Sequence, residues 1–245
     1  MRLDVHFDPP LQAGVLVRRY KRFLADIVGA NGSELTAHCP NTGAMLGCSE
    51  PGSTVWYSTS DNPKRKYANT LEVVEVPDGH KQRVGVHPGR ANALVAEALA
   101  AGRITPLAGY EFHHPEVPVP DEKGRFDFGL SSAPDKGRIN CYVEVKSVTL
   151  CQGQGVGAFP DARSERALRH VQALARRADA GQRAVLFFCV QHTGVDRVRC
   201  ADQIHPEYAE GVALAMTAGV EVLAYRCRVS SSELTIDTRL PFSVA

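Results

Sequence analysis

Two short segments of this sequence carry acidic and basic residues at spacings that suit metal-dependent chemistry. Glu144 and Lys146 lie two positions apart in an otherwise apolar segment, and Asp127 lies between two phenylalanines. Successive residues of a β-strand point to opposite faces, so Glu144 and Lys146 share one face. If the two segments pair as neighbouring strands with their charged faces aligned, Asp127, Glu144 and Lys146 converge on one point.

Two carboxylates brought this close repel each other, and a hard divalent cation such as Mg²⁺ or Mn²⁺ relieves the repulsion. A metal ion held there polarises a phosphoryl oxygen and acidifies a bound water. The ammonium group of Lys146 then offsets charge that develops on the phosphate. The pattern predicts phosphodiester hydrolysis, with Asp127 and Glu144 as metal ligands and Lys146 as a catalytic residue.

A solvated strand face with ordinary cross-strand ion pairs is the competing interpretation. Such pairs contribute only about 0.2–1 kcal/mol each, and an acid followed by Glu-x-Lys is a common short pattern. The surrounding elements favour a site, because an upstream helix, two adjacent strands and a downstream arginine-bearing helix occur in a suitable order.

The elements that must position these residues form an α/β arrangement around a mixed sheet. Asn92 is the expected N-cap of the first helix, and Gly102 follows its end. Helical and strand periodicity then predicts the remaining elements. They are strands at residues 125–130, 141–150, 184–190 and 220–229, and helices at residues 164–178 and 205–218.

The N-terminal third has a different pattern, with short β segments separated by turn residues. Many short strands at this spacing predict a small barrel or sandwich. Turns are expected at residues 31–32, 50–52 and 77–79, and the strands at residues 13–20, 23–28, 34–38, 54–58 and 70–76.

Two segments, residues 18–23 and residues 64–67, interleave basic residues with aromatic ones. Such a mixture suits nucleic acid, because rings stack on bases and cations contact phosphates. Exposed basic turns are the alternative for each segment taken alone. A third basic patch, at the start of the helix at 164–178 and the residue before it, contains Arg163, Arg166, Arg169 and His170 and lies close in sequence to the proposed site. The predicted nucleic-acid-binding residues are Arg18, Arg19, Arg22, Phe23, Lys64, Arg65, Lys66, Tyr67, Arg166 and Arg169.

Bulk composition bears on the cellular location of the protein and on the state of its cysteines. The 245 residues carry a net charge of +1 and contain no apolar run long enough to span a membrane. The N-terminus shows no secretory signal, and the seven cysteines are scattered, so we expect reduced thiols and a cytoplasmic location. The sequence leaves a homodimer open.

Several motifs together resemble the sugar fermentation stimulation protein A family over nearly the whole chain. The Pro-Asn-Thr-Gly and Phe-Pro-Asp-Ala segments are the most specific of them. The matching segments are Arg22-Phe23-Leu24-Ala25, His38-Cys39-Pro40-Asn41-Thr42-Gly43, Arg65-Lys66-Tyr67, Tyr142-Val143-Glu144-Val145-Lys146, Phe159-Pro160-Asp161-Ala162 and Ser164-Glu165-Arg166.

The resemblance implies an OB-like barrel over residues 1–86 and a PD-(D/E)xK nuclease-like mixed sheet with flanking helices over residues 87–245. It matches Asp127, Glu144 and Lys146 to the acid, acid and lysine of the nuclease motif, and Glu97 to a helix glutamate that often completes such sites. Phe126 stands where that motif has proline. The family is described as DNA-binding and linked to regulation of sugar-utilisation genes, so DNA is the expected partner, with RNA conceivable.

Two alternatives to a nuclease remain at this stage. The first is a DNA-binding regulator that keeps a nuclease scaffold without catalysis, because a fold does not fix an activity. The second is a module that binds a small phosphorylated metabolite. The glycine-rich residues 152–157 lack the lysine and helix spacing of a phosphate-binding loop, which weighs against it.

Overall fold

A computed structural model describes residues 5–76, 80–120, 122–135 and 138–245. The turn predicted at 77–79 lies outside the described residues. Two units are formed, an N-terminal barrel and a C-terminal mixed sheet with helices on both faces.

The N-terminal barrel is closed by five strands, paired in the order β1-β2-β3-β5-β4 and back to β1. The β3–β5 pair is parallel and the other four pairs are antiparallel. A sixth strand, β6, pairs with the far end of β5. The predicted strands agree with the observed ones within one residue at each end. The bounds are β1 (Gln12–Tyr20), β2 (Leu24–Gly29), β3 (Glu34–His38), β4 (Thr54–Thr59), β5 (Asn69–Glu75) and β6 (Arg83–Gly85).

The C-terminal unit is built on a six-stranded sheet in the order β15-β14-β12-β9-β8-β7. Strands β9, β12 and β14 are parallel to one another, and the remaining neighbours are antiparallel. The predicted OB-like barrel and mixed-sheet domain are therefore both confirmed. The bounds are β7 (Phe112–Pro118), β8 (Arg125–Ser131), β9 (Cys141–Val148), β12 (Arg183–Val190), β14 (Glu221–Val229) and β15 (Leu234–Leu240).

A smaller sheet, in the order β10-β11-β13-β16, lies beside the main one. It was not predicted, because strands of two to four residues are too short to show a period. Strands β6, β7 and β15 were also missed. The bounds are β10 (Leu150–Cys151), β11 (Val156–Phe159), β13 (Arg197–Cys200) and β16 (Phe242–Ser243).

Three α-helices occur in the described residues, α1 (Arg90–Ala100), α2 (Glu165–Asp179) and α3 (Pro206–Thr217), with a 3₁₀ turn at Thr105–Leu107. Helix α1 packs on one face of the sheet against Val143 and Phe187. Helices α2 and α3 pack on the other face against Leu186 and Phe188. Alternate residues of the central strands thus fall into two separate cores, and Glu144 and Lys146 belong to the face of α2.

The ends of the helices agree only in part with the predictions. Ser164 caps α2, since its side chain accepts a hydrogen bond from the Ala167 backbone N–H, and Gly102 follows α1 with a φ of 67°. Asn92 was expected to cap α1, but the cap is Gly89 and the helix begins at Arg90. This prediction was wrong because a tertiary contact, described below, takes the Asn92 side chain.

The two units share a buried ion pair. Arg90 of α1 donates from Nε and Nη2 to the two carboxylate oxygens of Glu72 in β5, at 2.6 and 2.7 Å. Ser58 adds a hydrogen bond of 2.9 Å to Glu72. The N-terminal segment also joins the C-terminal unit, where Phe7 and Leu11 donate backbone hydrogen bonds to a loop at residues 231–232.

Two predictions from bulk composition, one on membrane-spanning segments and one on the cysteines, can be compared with the structure. None of the described helices has the length and apolar character needed to cross a membrane. All seven cysteines carry free thiols, and six of them are buried, as expected for reduced side chains in a core.

Candidate metal and nucleic-acid site

Glu144 lies at the centre of the main sheet, with only 2% of its surface exposed. Its Oε1 atom accepts hydrogen bonds from Lys146 Nζ on the same strand and from His170 Nδ1 on α2. Its Oε2 atom is buried and has no hydrogen-bond partner among the described residues. The two oxygens of one carboxylate therefore have different surroundings.

Burial by itself would raise the pKa of Glu144, since it penalises the charged form. The hydrogen bond from His170 and the charge and hydrogen bond of Lys146 outweigh burial, so the pKa of Glu144 falls below its usual value. Glu144 is consequently a carboxylate at neutral pH, held by two donors on one oxygen.

Asp127 reaches the same place from the neighbouring strand. The β8–β9 ladder ends with Phe128 opposite Val143, so the next residues along the two strands are Asp127 and Glu144. The Asp127 side chain replaces the lost ladder, because its Oδ2 accepts from the Val145 backbone N–H at 2.7 Å. Asp127 is thereby held at the backbone between Glu144 and Lys146.

This departure from regular pairing was not foreseen. The sequence pattern placed Phe126 and Phe128 on one face, but Phe128 packs in the core under α1 and Phe126 in the core under α2. The strand loses its simple alternation where β8 separates from β9, which is the point where Asp127 turns its carboxylate onto Val145.

Burial and the nearby charge of Glu144 raise the pKa of Asp127. Hydrogen bonds from Val145 and from Asn92, together with the charge of Lys146, act in the opposite direction. The two carboxylates are therefore close enough for the charge of one to act on the other.

The donors present fit a hard cation better than zinc. Within the described parts of the chain, no group of three or more His, Cys, Asp or Glu side chains is arranged to hold a metal ion. Zinc sites normally use three or four such ligands, whereas Mg²⁺ binds through one or two carboxylates and keeps several waters. The partnerless Oε2 of Glu144 is an oxygen that such a cation would satisfy.

The remaining predicted catalytic residue lies elsewhere on α1. The carboxylate of Glu97 pairs with Arg103 just beyond the helix end. The α1 residue that reaches the site is Asn92, whose Nδ2 donates to Asp127 Oδ1 at 2.7 Å. No sequence pattern indicates this contact beyond the position of Asn92 in the first turn of the helix.

A cleft of about 580 Å³ lies between α2 and the β7–β8 hairpin, and both Asp127 and His170 line it. Glu122 and Arg176 pair across it at 2.6 Å. Arg166 and Arg169 were predicted to bind nucleic acid, whereas the two cations from the hairpin side were not. The exposed basic residues lining the cleft are Lys123, Arg125, Arg166, Arg169 and Arg176, and of these Arg176 is paired with Glu122.

One end of the barrel carries both predicted basic-aromatic segments. Strand pairing places Tyr20 beside Leu24, Leu24 beside His38, and His38 beside Thr70 in a single row. The β1–β2 turn and the β4–β5 loop, residues 60–68, both project from this row. Segments that are about 45 residues apart in sequence thus lie on one surface, by the pairing order of the barrel.

Within the β1–β2 hairpin the side chains have different environments. Arg18 pairs with Asp26 at 2.8 Å. Arg19 donates from Nη2 to three backbone carbonyls, those of Arg22, Asn41 and Gly43. Arg22 and Phe23 are exposed at the hairpin tip, with 42% of Phe23 accessible.

The β4–β5 loop is similarly divided. Arg65 donates from Nη2 to Thr70 Oγ1 at 2.7 Å, and Lys66 Nζ lies 5.6 Å from the centre of the Tyr67 ring. Lys64 is exposed. Arg22, Phe23, Lys64 and Lys66 are therefore the side chains of the barrel end that are best placed to meet a partner.

The two most specific sequence motifs meet where the barrel end contacts the C-terminal unit. A Cβ atom on Gly43 would lie 2.6 Å from Asp161 Oδ2 and 2.9 Å from Asn41 Oδ1, so a larger residue there would force these two side chains to shift. Asp161 comes four residues before the first residue of α2. The contact links the barrel end to the helix that carries Arg166, Arg169 and His170.

Comparison with known proteins agrees with this two-part organisation. A family model described as the SfsA N-terminal OB domain matches residues 17–86, and one described as the sugar fermentation stimulation protein RE domain matches residues 89–233. Sugar fermentation stimulation protein homologs from Pseudoalteromonas atlantica and Shewanella sp. (strain ANA-3) are 49% and 50% identical over 240 residues, covering 98% of this chain and 100% of each relative.

A solved structure, that of Pyrococcus furiosus SfsA in complex with Ca²⁺, is similar with a TM-score of 0.83. The alignment covers 99% of both chains at 23% sequence identity. At this identity the similarity supports the fold.

Proposed function

The chain belongs to the sugar fermentation stimulation protein family, and we propose that it binds DNA and hydrolyses phosphodiester bonds with a divalent cation at Asp127 and Glu144. The observation that carries this proposal is the paired carboxylate arrangement at the end of the β8–β9 ladder. Asp127 is held at Val145, and Glu144 keeps one buried oxygen without a partner.

We propose Mg²⁺ or Mn²⁺ as the cation, because both prefer oxygen ligands and bind to one or two carboxylates together with several waters. The Ca²⁺ complex of the Pyrococcus relative supports a hard, oxygen-binding cation in this fold. When bound, such a cation supplies Lewis acidity toward a phosphoryl oxygen and an acidified water.

The side chains of the chain itself supply binding and orientation. Asn92 and the Val145 N–H orient the Asp127 carboxylate, and His170 and Lys146 orient that of Glu144. Lys146 brings a positive charge next to the site where charge would develop on the phosphate.

The exposed cations that line the cleft support a path for the DNA backbone there. Arg166 and Arg169 line the cleft from α2, and Lys123 and Arg125 line it from the hairpin side. The barrel end adds Phe23, whose exposed ring suits stacking on a base, as in proteins that bind single strands. We propose that a DNA strand runs from the barrel end to the cleft, with RNA as a second substrate to include in any test.

The test is a cleavage assay with single-stranded, duplex and branched DNA and with RNA, each with Mg²⁺, Mn²⁺ or a chelator. We expect cation-dependent cleavage by the wild type and a loss of at least 100-fold in Asp127→Asn and Glu144→Gln, with DNA binding retained. Glu210→Gln, which changes an exposed carboxylate on α3, is the matched control and should cleave normally. Equal residual cleavage in all four proteins would remove the proposal.

The same assay examines the prediction for Glu97. Its ion pair with Arg103 leads us to expect that Glu97→Gln keeps most of the cleavage rate. A loss as large as that in Glu144→Gln would instead place Glu97 in the catalytic set, as the family resemblance implies.

A DNA-binding regulator without turnover is the second candidate. It is favoured by the ion pair between Lys146 and Glu144, which occupies the lysine in the described structure. The names of the relatives would then point to a role in controlling sugar utilisation. Salt-sensitive DNA binding by the wild type, with no cleavage of any substrate in the panel at any cation concentration, would favour this candidate.

A further inference from the structure

The carboxylate of Glu144 is held asymmetrically, and His170 is part of the reason. Both donors, Lys146 Nζ and His170 Nδ1, contact Oε1, while Oε2 is buried with no hydrogen-bond partner among the described residues. Burying a carboxylate oxygen without a hydrogen-bond donor costs free energy unless a water molecule or a cation satisfies it.

The position of His170 on α2 explains how it reaches Glu144. The buried face of the helix contains Ala167, Val171 and Leu174. His170 lies three residues after Ala167 and four residues before Leu174, so it is at the edge of that face. Its side chain is 15% exposed. From this edge the imidazole contacts Glu144 inside the protein and also lines the cleft beside Asp127.

We propose that His170 is a positioning residue that fixes the orientation of the Glu144 carboxylate, and that Oε2 of Glu144 is the oxygen that binds the cation. The inference rests on the proposed function, because it assigns a role within the same site. The sequence pattern groups His170 with the arginines of a basic patch, and its contact with Glu144 gives it a different task.

The two donors to Oε1 are not equivalent. Lys146 carries a flexible stem with a rotatable ammonium group, which follows a carboxylate in several orientations. His170 presents a planar ring from a helix packed against the sheet, so its Nδ1 donor has a fixed direction. The last torsion of a glutamate side chain is broad, so a fixed donor is what keeps Oε1 and Oε2 from exchanging places. Loss of that donor should weaken cation binding before any chemistry takes place.

The decisive measurement is Mn²⁺ binding to the full chain, by calorimetry or by the electron paramagnetic resonance of free Mn²⁺, without DNA. We expect His170→Leu to weaken Mn²⁺ binding by about 10- to 100-fold, as losses of groups that orient metal ligands typically do. His170→Asn should recover most of the affinity, because its amide nitrogen occupies the position of Nδ1. His170→Gln should not recover it, because its amide nitrogen lies one bond further along.

Gln172→Leu is the matched control, since it replaces an exposed polar residue of the same helix that also lines the cleft. It should bind Mn²⁺ like the wild type. Thermal unfolding of each variant identifies a folding defect, and the comparison of His170→Asn with His170→Gln then carries the test.

The outcomes separate this inference from the proposed function. The first outcome is that Glu144→Gln abolishes the Mn²⁺ binding of the wild type, while the three His170 variants have the same Mn²⁺ affinity as one another. This result would overturn the role of His170 alone. Wild-type protein that binds no Mn²⁺, or binds it equally well in Glu144→Gln, would overturn the metal site itself. Wild-type binding that is weakened in His170→Leu and His170→Gln and restored in His170→Asn supports both.

Discussion

The side chain of Asn92 donates a hydrogen bond of 2.7 Å to Asp127, so a residue in the first turn of α1 orients a proposed metal ligand on β8. Two residues earlier, Arg90 forms the buried ion pair with Glu72 of the barrel. The barrel and the candidate site are therefore both joined to the start of α1, by the Glu72–Arg90 pair and the Asn92–Asp127 pair.

Replacing Asn92 tests whether this orientation matters. We expect Asn92→Ala to lower Mn²⁺ affinity and cleavage by about 10- to 100-fold, because Asp127 keeps only the Val145 donor. Asn92→Asp should be worse, since it replaces a donor with a second negative charge facing Asp127. Calorimetric titration with Mn²⁺ measures both, and an Asn92→Asp variant with wild-type affinity would contradict the expected order.

Breaking the Glu72–Arg90 pair should destabilise the whole protein. Glu72→Ala leaves a buried guanidinium without its partner, and we expect a loss of about 3–5 kcal/mol in the free energy of unfolding. The double variant Glu72→Met with Arg90→Leu removes both charges and should recover much of that loss. Urea denaturation followed by circular dichroism measures the effect, and a loss below about 1 kcal/mol in Glu72→Ala would show that the pair contributes little.

Arg19 and Arg22 are neighbours in sequence with different expected roles. Arg22→Ala should weaken DNA binding and reduce the slope of log affinity against log salt by about 0.7–0.9, the contribution of one phosphate contact. Its exposed position predicts little change in stability. The measurement is fluorescence anisotropy with labelled DNA across a salt series.

Arg19→Ala is the paired variant, and it should lower the free energy of unfolding by about 1–3 kcal/mol because three backbone carbonyls lose their donor. Chemical denaturation checks this value. Suppose instead that Arg19→Ala is as stable as the wild type and reduces the slope of log DNA affinity against log salt. That result would show that Arg19 contacts phosphate directly, as the sequence pattern predicts.

His87 should make the protein sensitive to mild acid. Burial lowers the pKa of His87 below its ordinary value of 6.5, with the charges of Arg90 and His38 acting in the same direction and Glu72 against it. Below pH 6.5 the unfolded chain therefore binds the proton more readily than the folded chain, and stability is lost as the pH falls.

We expect the melting temperature of the wild type to fall between about pH 7.5 and pH 5.5, and to fall less in His87→Gln, which cannot take up the proton. His38, whose pKa burial also lowers, remains in that variant, so part of the acid sensitivity should persist. Identical pH profiles for the two proteins would show that His87 is not protonated differently in the folded and unfolded states.

The sequence alone determined the local elements and the main candidate residues. Short β segments separated by turn residues located the five strands that close the barrel within one residue at each end, and the Glu-x-Lys spacing placed Glu144 and Lys146 on one strand face. These features depend on neighbours within a few positions, where the period of a strand or a helix is enough to predict the structure.

Only the tertiary structure decided which side chains meet. Asn92, predicted as a helix cap, orients Asp127, and His170, predicted as part of a basic patch, holds Glu144. These contacts join residues 35 and 26 positions apart. They arise where β8 separates from β9 and where α2 packs on the sheet, and no short-range pattern records such events, because packing and strand pairing between distant segments set their geometry.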